Sequence, residues 1–586
     1  MIDKRNPVIL SIHTGGHDAA AAVFQGQTLV SAIQLERLTR KKGDGNRFPD
    51  EAIEEVLSIA GMARKDVDVL LCSRMGFPAQ YFTHWSAPKK AEYELRAKLG
   101  NPRIKHISGE MQRSKTVDLS AIFNKGRFLT ENGFRADAVM DFYNHHYAHA
   151  YSALAYTDWQ DAMLYTADAG GDNVHWSQHV LKDGRLTHNH GVEEEIYKEK
   201  RIDSVGFAYS FMTAALGYRM SRHEGKLTGL AAYGKPVLAE KIGRRFTVDE
   251  DGSVTSDFTD FADMRDFITE LAKTVSPEDA AASIQEVLED KILTSVSRMI
   301  KRSGSRNLGL AGGVFANVRL NRLLAESLDI DEIFVFPGMG DEGICVGGVH
   351  QWLAEQNGLA AWLEGRRRLD DVYLARDFNL EIDDVLVGHD SVTRISDEPV
   401  SASSRLINAG WVGAIYNGRM EFGPRALGAR SIIASPADNS INGSLNDRLQ
   451  RTEFMPFAPY VLEEDAREVF EICDKTAYAC RFMTITCEVK EYWRDKIPAV
   501  VHVDGTARPQ VVRRQENALY YDILKDFKAV SGLPVLVNTS FNAHEEPIIN
   551  RPEECLNALL HNRVDFIVTQ GGVYALRERA ATLAVS

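Results

Sequence analysis

The chain has 586 residues, 44% hydrophobic and 26% charged, a composition typical of a soluble globular enzyme with more than one hydrophobic core. Its formal net charge of −14 argues against nucleic acid as the main partner, because a phosphate backbone binds a positive surface. No apolar run reaches the roughly 20 residues that span a bilayer, and no apolar signal segment is present, so a membrane is not expected as a partner. The six cysteines are scattered without a Cys-x-x-Cys pair, which predicts reduced thiols in a cytoplasmic protein.

The N-terminal part shows one strand pattern twice. The first copy has the pair Gly15-Gly16 and a tight turn between three apolar strands, at residues 8–13, 19–24 and 29–33. The second copy has Gly170-Gly171 in the same place, between strands at residues 163–167, 174–181 and 185–187. Two such halves facing each other are typical of the actin-like ATPase and sugar-kinase fold. In that fold, glycine turns approach phosphates closely through backbone N–H groups.

A long helix and a third glycine turn follow. The helix begins with Ser276 as N-cap and Pro277 in its first turn, and it ends before Gly304. An apolar strand then leads into Gly312-Gly313 and on to Asn317. A strand that ends in a glycine pair before a helix is typical of a nucleotide-binding turn, although the pair alone is a weak signal.

Four side chains from separate segments form a candidate metal site. His145 and His149 are four residues apart, so on a helix both rings lie on one face. Asp168 ends an apolar run just before a glycine turn, and Asp341 lies in a glycine-rich loop. Two imidazoles and two carboxylates suit iron, manganese or zinc better than calcium, with iron as the first choice. The alternative is a chance arrangement of structural histidines.

A second α/β pattern begins near residue 399, after a charged segment at 366–398 that predicts a linker. Its first polar cluster places arginines among glycines, which expose backbone to a ligand. Guanidinium groups match phosphate and carboxylate oxygens, so a phosphorylated substrate is predicted. The candidate contacts are arginines and the polar end of a buried strand, namely Arg419, Arg425, Arg430, Arg448, Arg451, Arg508, Asn538 and Ser540.

Together these motifs resemble the O-carbamoyltransferase family of the NodU and tobramycin-carbamoyltransferase type. The resemblance covers nearly the whole chain and rests on six motifs in order: His-His-x-Ala-His-Ala, Asp-x-Gly-Gly, Leu-Ala-Gly-Gly-Val, Phe-Pro-x-x-Gly-Asp, Gly-Arg-Met-Glu-Phe-Gly-Pro-Arg-Ala-Leu-Gly and Asn-Thr-Ser-Phe-Asn. It implies an α/β protein. An actin-like (ASKHA, duplicated ribonuclease-H-like) domain of threonylcarbamoyl-transferase type would occupy 1–365, and a YrdC-like α/β domain would follow the linker at 399–586.

The resemblance implies two linked reactions. The C-terminal domain would combine carbamoyl phosphate with ATP to give carbamoyl-adenylate. The residues implied to hold that intermediate are Arg425, Arg430, Arg508, Asn538 and Ser540, with Arg448 and Arg451 as weaker candidates. The N-terminal domain would then pass the carbamoyl group to a hydroxyl of a small secondary metabolite, at a divalent metal held by His145, His149, Asp168 and Asp341.

Further roles follow from the same resemblance. His17 is the expected general base, and a histidine that only orients its glycine turn is the alternative. Lys226 is expected to contact nucleotide or phosphate. The expected nucleotide contacts of the N-terminal domain include Gly170, Gly171, Gly312, Gly313 and Asn317. The expected partners are the small-molecule acceptor and a second copy of the chain, without nucleic acid or membrane.

Three other functions fit part of the pattern. A threonylcarbamoyl-adenylate enzyme that modifies tRNA would need a basic groove, which the net charge disfavours. A sugar or acetate kinase would leave the arginine-rich second domain without a role. A non-catalytic nucleotide-binding regulator would not need the arginine cluster and four metal-ligand positions.

Overall fold

In a computed structural model of the protein, the described residues are 6–116, 118–198, 201–450 and 456–585. The first seven strands, numbered in chain order, are β1 (Val8–His13), β2 (Ala20–Gln25), β3 (Thr28–Gln34), β4 (Val69–Ser73), β5 (Gly76–Pro78), β6 (Ile104–His106) and β7 (Val139–Tyr143). Five of them form a sheet in the order β3-β2-β1-β4-β7, and β5 and β6 form a separate pair. Strand β4 is buried along its whole length, which explains its continuous apolar sequence.

The next seven strands are β8 (Ala162–Gly171), β9 (Val174–Lys182), β10 (Arg185–His190), β11 (Phe246–Val248), β12 (Val254–Ser256), β13 (Asn307–Ala311) and β14 (Glu332–Val335). Five of these form a second sheet, β10-β9-β8-β13-β14. Its directions repeat those of the first sheet: β8 is antiparallel to β9 and parallel to β13, as β1 is to β2 and β4. The structure therefore confirms the internal duplication predicted from the repeated strand pattern.

The helices of this part are α1 (Glu36–Thr39), α2 (Asp50–Ile59), α3 (Ala87–Lys98), α4 (Ile107–Ser114), α5 (Lys125–Glu131), α6 (His145–Ala155), α7 (Val205–Ala215), α8 (Glu224–Leu230), α9 (Ala239–Gly243), α10 (Phe261–Ala272), α11 (Pro277–Ser303), α12 (Val318–Ser327), α13 (Ile344–Asn357) and α14 (Leu359–Glu364). Helix α11 has the predicted caps, because the Ser276 side chain accepts from Asp279 N and Gly304 is left-handed.

Helices α6 and α13 lie side by side between the two sheets. Helix α6 packs on β8 and β13, whereas α13 packs on β1 and β4. Glycines allow the close approach: a Cβ atom at Gly347 would overlap the carbonyl oxygen of Ala148, and one at Gly348 would overlap the Tyr143 ring. Each helix therefore follows the last strand of one sheet and packs on the other sheet.

The strands among the described residues of the C-terminal part are β15 (Tyr373–Asp377), β16 (Val392–Ser396), β17 (Gly413–Tyr416), β18 (Arg419–Glu421), β19 (Arg430–Ala434), β20 (Ala458–Leu462), β21 (Cys487–Glu488), β22 (Thr506–Ala507), β23 (Gln510–Val512), β24 (Val535–Ser540), β25 (Phe566–Val568) and β26 (Val573–Leu576). Eight form one mixed sheet, β16-β26-β25-β17-β19-β24-β20-β23. Its helices are α15 (Ile382–Val387), α16 (Pro399–Asn408), α17 (Ser440–Arg448), α18 (Glu463–Val469), α19 (Asp474–Cys480), α20 (Glu491–Arg494), α21 (Ala518–Ser531), α22 (Pro552–Leu560) and α23 (Arg577–Val585).

The segment 366–398, predicted as a linker, is built into this part of the protein. Strand β16 forms the edge of the large sheet by pairing with β26, and β15 pairs with β18. Val392 of β16 is fully buried, so its apolar surface contributes to the C-terminal core. Because charged residues flank β16, this short strand is not recognisable from the sequence.

Arginine side chains join the N-terminal and C-terminal parts by donating to backbone carbonyl oxygens. Buried Arg37 donates from Nη2 to Gly423 O at 2.9 Å, and Arg419 donates from Nη2 to Val30 O at 2.8 Å. Such contacts satisfy buried acceptors that would otherwise lose a hydrogen bond on leaving water. In the part of the chain that the structure describes, no helix is long and apolar enough to cross a membrane.

We predict that Gly347→Ala lowers the midpoint of thermal unfolding. The added methyl group has no space beside the Ala148 carbonyl oxygen, so α6 and α13 must separate, at a cost of about 1–3 kcal/mol. The control is Gly443→Ala, an exposed position in α17 with open space around it, where alanine favours the helix. An unchanged midpoint for Gly347→Ala would contradict the close packing of α6 and α13.

Candidate functional site

The first turn of α6 holds the two predicted histidines in place. Asn144 caps the helix, because its side chain accepts a hydrogen bond from Tyr147 N at 3.0 Å. The backbone N–H of His145 donates to Asp172 Oδ2 at 3.0 Å. His145 and His149 consequently lie one turn apart on the side of α6 that faces β8.

Two carboxylates face this histidine pair from different elements. Asp168 lies near the end of β8, and Asp341 begins the short turn before α13. His145 Nε2 is 2.7 Å from Asp168 Oδ2 and 3.5 Å from Asp341 Oδ1. His149 Nε2 is 3.4 Å from Asp168 Oδ2 and 3.6 Å from Asp341 Oδ1. The structure thus brings the four predicted ligands together, with one ligand atom of each within 4.8 Å of the others.

The donor atoms of this cluster lack sufficient partners of their own. Among the described residues, neither ring nitrogen of His149 has a hydrogen-bond partner, and Asp168 Oδ1 has none. A buried polar atom without a partner is costly, at about 1–3 kcal/mol. One cation could bind His149 Nε2 together with the Asp168 and Asp341 carboxylates, so the residues fit a metal ion.

The electrostatics of the cluster also favour a cation. Burial opposes the charged form of His145, but Asp341 and Asp168 outweigh it and raise the pKa of His145 to about 9. Burial would raise the pKa of Asp341, yet His145 and its neighbours hold it well below its usual range. Two ionised carboxylates in a buried site require positive charge beside them, from a proton or from a metal ion.

A cavity of about 440 Å³ opens on this cluster and extends to the C-terminal part. Eight of the predicted site residues line it: His17, Asp168, Gly170, Gly313, Asn317 and Asp341 from the N-terminal part, and Arg425 and Ser540 from the C-terminal part. Its volume is in the range of small-molecule sites. Two of the four candidate metal ligands, Asp168 and Asp341, therefore share one cavity with Arg425 of the arginine motif, whereas His145 and His149 do not line it.

The four predicted phosphate-turn glycines have two different roles. Gly170 and Gly313 line the cavity, and a Cβ at Gly313 would meet open space. Gly171 and Gly312 lie against the chain itself, since a Cβ would overlap the His145 ring at Gly171 and the Ala167 backbone at Gly312. Gly171 and Gly312 thus permit close packing of protein segments and do not line the cavity, and their contact with a ligand stays a prediction.

Two of the predicted ligand arginines contact other groups of the protein. Arg430 is fully buried, donates to the carbonyl oxygens of Asn417, Gly418 and Ala429, and lies 3.7 Å from the Tyr416 ring centroid. Arg448 is paired with Asp565 at 3.0 Å. Their guanidinium groups thus have protein partners and do not line the cavity, and a contact of either arginine with a ligand stays a prediction. Arg419, noted in the same cluster, belongs to the contact between the two parts of the protein.

Three other predicted contact residues have different surroundings. Asn538 is buried and donates from Nδ2 to Gln510 Oε1 at 2.6 Å. Arg508 is half-buried and directly follows β22, and buried Lys226 places Nζ 5.9 Å from the Tyr218 ring centroid. None of these three lines the cavity. Arg451 lies outside the described residues.

His17 lies at the cavity in a charged environment. Its Nδ1 is 2.8 Å from Asp18 Oδ2. Burial would lower the pKa of His17, but the hydrogen bond to Asp18 and the charge of Asp341 raise it to about 9. A protonated imidazole suits contact with an anionic oxygen better than proton abstraction, whereas a cation beside Asp341 would oppose that charge.

The sequence analysis missed several cavity residues. Arg37, Lys42 and Arg222 bring positive charge to the cavity wall, and a charged run after β3 was the available signal for the first two. It also missed His13, which is fully buried with Nε2 3.7 Å from Asp341 Oδ2. Burial lowers the pKa of His13 to about 4, so this ring is neutral.

Comparison with known families matches two models to consecutive parts of the chain. The model described as carbamoyltransferase N-terminus matches residues 8–349, and the carbamoyltransferase C-terminus model matches residues 404–575. Among solved structures, HypF of T. kodakarensis is similar with a TM-score of 0.34 and 13% identity, covering 61% of this chain and 49% of that chain. Similarity at that level does not identify the fold.

Curated relatives match over most of the chain. Nodulation protein NolNO of Sinorhizobium fredii is 30% identical, covering 97% of this chain and 80% of that protein. Nodulation protein NolO of Bradyrhizobium diazoefficiens is 34% identical, covering 75% of this chain and 80% of that protein. With both family models matched in order, the chain belongs to the carbamoyltransferase family, of the NodU type.

Proposed function

We propose that the protein is an ATP-dependent O-carbamoyltransferase with a small hydroxyl-bearing metabolite as acceptor. In the first reaction, carbamoyl phosphate, ATP and water would give carbamoyl-adenylate, phosphate and pyrophosphate. In the second, the acceptor oxygen would bond to the carbamoyl carbon as the bond to the adenylate oxygen breaks, releasing AMP. The observation that supports this proposal is the single cavity shared by Asp168, Asp341, Arg425 and Ser540.

The first reaction is assigned to the C-terminal part, proposed as a YrdC-like domain. Carbamoyl phosphate and ATP are both anionic, so their approach requires positive charge. Arg425 lines the cavity, and Ser540 at the end of β24 offers a hydroxyl there. Arg508 is proposed as a further contact. Arg430 would act indirectly, by holding the Asn417, Gly418 and Ala429 carbonyl groups in place.

The second reaction is assigned to the N-terminal part, proposed as an actin-like domain. His145, His149, Asp168 and Asp341 would hold iron, manganese or zinc, and their donor types fit these ions. A bound ion would supply Lewis-acid polarisation of the adenylate. His17 would orient an anionic oxygen when protonated and would take the acceptor's proton when neutral. Gly313 would leave room for nucleotide at the cavity wall, which Gly170 also lines.

We predict that purified protein releases pyrophosphate only when both ATP and carbamoyl phosphate are present. Arg425→Ala should reduce the rate at least about 100-fold, because it removes a positive charge that faces the phosphates. Arg514→Ala is the matched control, since Arg514 is exposed and paired with Asp522. An assay for pyrophosphate measures its rate of release by the wild type and by both variants.

Two outcomes would contradict this first reaction. Equal pyrophosphate release without carbamoyl phosphate would exclude it as the carbamoyl donor. Release that requires bicarbonate and threonine instead would favour the tRNA-modifying alternative.

We predict that Asp341→Ala separates the two reactions. Pyrophosphate release should remain largely intact, whereas AMP release stimulated by a panel of sugar and polyol acceptors should disappear. The reason is that Asp341 belongs to the histidine cluster, whereas the phosphate-facing arginine comes from the C-terminal part. Asp266→Ala, at an exposed position of α10, is the control. Equal loss of both activities would argue against two separable reactions.

A further inference from the structure

His13 has the features of a functional side chain that no proposed step uses. It is the last residue of β1 and is fully buried. Among the described residues, neither of its ring nitrogens has a hydrogen-bond partner. A neutral imidazole carries one donor and one acceptor, so this burial is unfavourable unless a partner is supplied.

His13 faces the Oδ2 oxygen of Asp341. The two oxygens of this carboxylate face opposite groups: Oδ1 faces His145 Nε2 and His149 Nε2 at 3.5 and 3.6 Å, whereas Oδ2 faces His13 Nε2 at 3.7 Å. A cation held between the two helical histidines and Asp168 would bind Oδ1. Oδ2 would then remain available to a donor on the opposite side.

The His13 ring is held close to Asp341 by the local chain. The His13 backbone pairs with Ala20 of β2, and Thr14 N donates to Ser73 Oγ at 3.1 Å. A Cβ atom at Gly15 would overlap the ring, so glycine is required there for this ring position. A shift of less than about 1 Å in the Asp341 side chain would bring Nε2 and Oδ2 to hydrogen-bond distance.

We infer that His13 is a positioning residue of the metal centre, which donates from Nε2 to Asp341 Oδ2 and thereby holds Oδ1 toward the ion. The inference rests on the proposed function, because it requires the proposed metal centre. Carboxylate ligands are commonly oriented by such outer hydrogen bonds, and their loss weakens metal binding about 10- to 100-fold. His13 would act through Asp341 and would not touch the ion.

The test measures metal binding directly. Wild type, His13→Phe and His13→Gln are titrated with Zn²⁺ in competition with a chelator, after their thermal unfolding midpoints are compared. We expect all three proteins to bind one ion per chain. The dissociation constant should be about 10- to 100-fold higher for His13→Phe than for the wild type. His13→Gln should recover most of this loss of affinity, because glutamine restores an N–H donor. His350→Phe is the control, because His350 is another buried histidine of the same domain.

If His13→Phe does not fold, the number of imidazole ligands in the wild-type metal site tests the inference instead. X-ray absorption of the Zn²⁺-loaded wild type should show two imidazoles, from His145 and His149; three would overturn the inference in favour of a direct His13 ligand. If His13→Phe binds Zn²⁺ with wild-type affinity, the inference is overturned and the proposed metal centre stays intact. The same conclusion follows if His13→Gln recovers none of the affinity that His13→Phe loses. Absence of Zn²⁺ binding by the wild type would overturn the metal centre itself, and the inference with it.

Discussion

The contact between α6 and α13 determines the distance between the histidine pair and Asp341. Gly347 of α13 lies so close to the Ala148 carbonyl oxygen of α6 that a Cβ atom would not fit between them. The two helix axes therefore lie as close as their backbones allow. Each helix follows one sheet and packs on the other, which couples the two halves of the duplication. A larger residue at this contact would move His145 and His149 of α6 away from Asp341. The metal-type cluster is therefore a consequence of helix packing between two similar sheets.

The arginines of this protein divide between two tasks that composition alone does not separate. Some satisfy buried carbonyl oxygens: Arg37 and Arg419 join the N-terminal and C-terminal parts, and Arg430 holds the loop before β19. Arg425 and Arg222 line the shared cavity, and Arg37 does both, since it lines the cavity as well. This division places positive charge beside a cluster with two ionised carboxylates. The proposed anionic intermediate would lie in this cavity, between contacts from the N-terminal and C-terminal parts.

Much of the chemistry was predictable from local sequence. The four-residue spacing of His145 and His149 requires only a helix to align their rings, and Asp168 follows from a strand that ends in a glycine turn. The duplicated strand pattern was likewise predictable, because alternation of strand and glycine turn is a local property. Strand β16 was not predictable, because its few apolar residues lie among charged ones. This segment forms a strand only by pairing with β26, which is far along the chain.

The sequence by itself determined the residue types of the site, the helix that aligns the histidines and the family to which the motifs belong. Only the tertiary structure decided which glycine meets open space and which meets a neighbouring ring, as with Gly313 and Gly171. It also decided that Arg425 reaches the cavity whereas Arg430 is held by carbonyl groups, and that His13 faces Asp341. The physical reason is that these roles depend on which donors and acceptors are already satisfied, and those partners come from distant segments that meet only when the chain is folded.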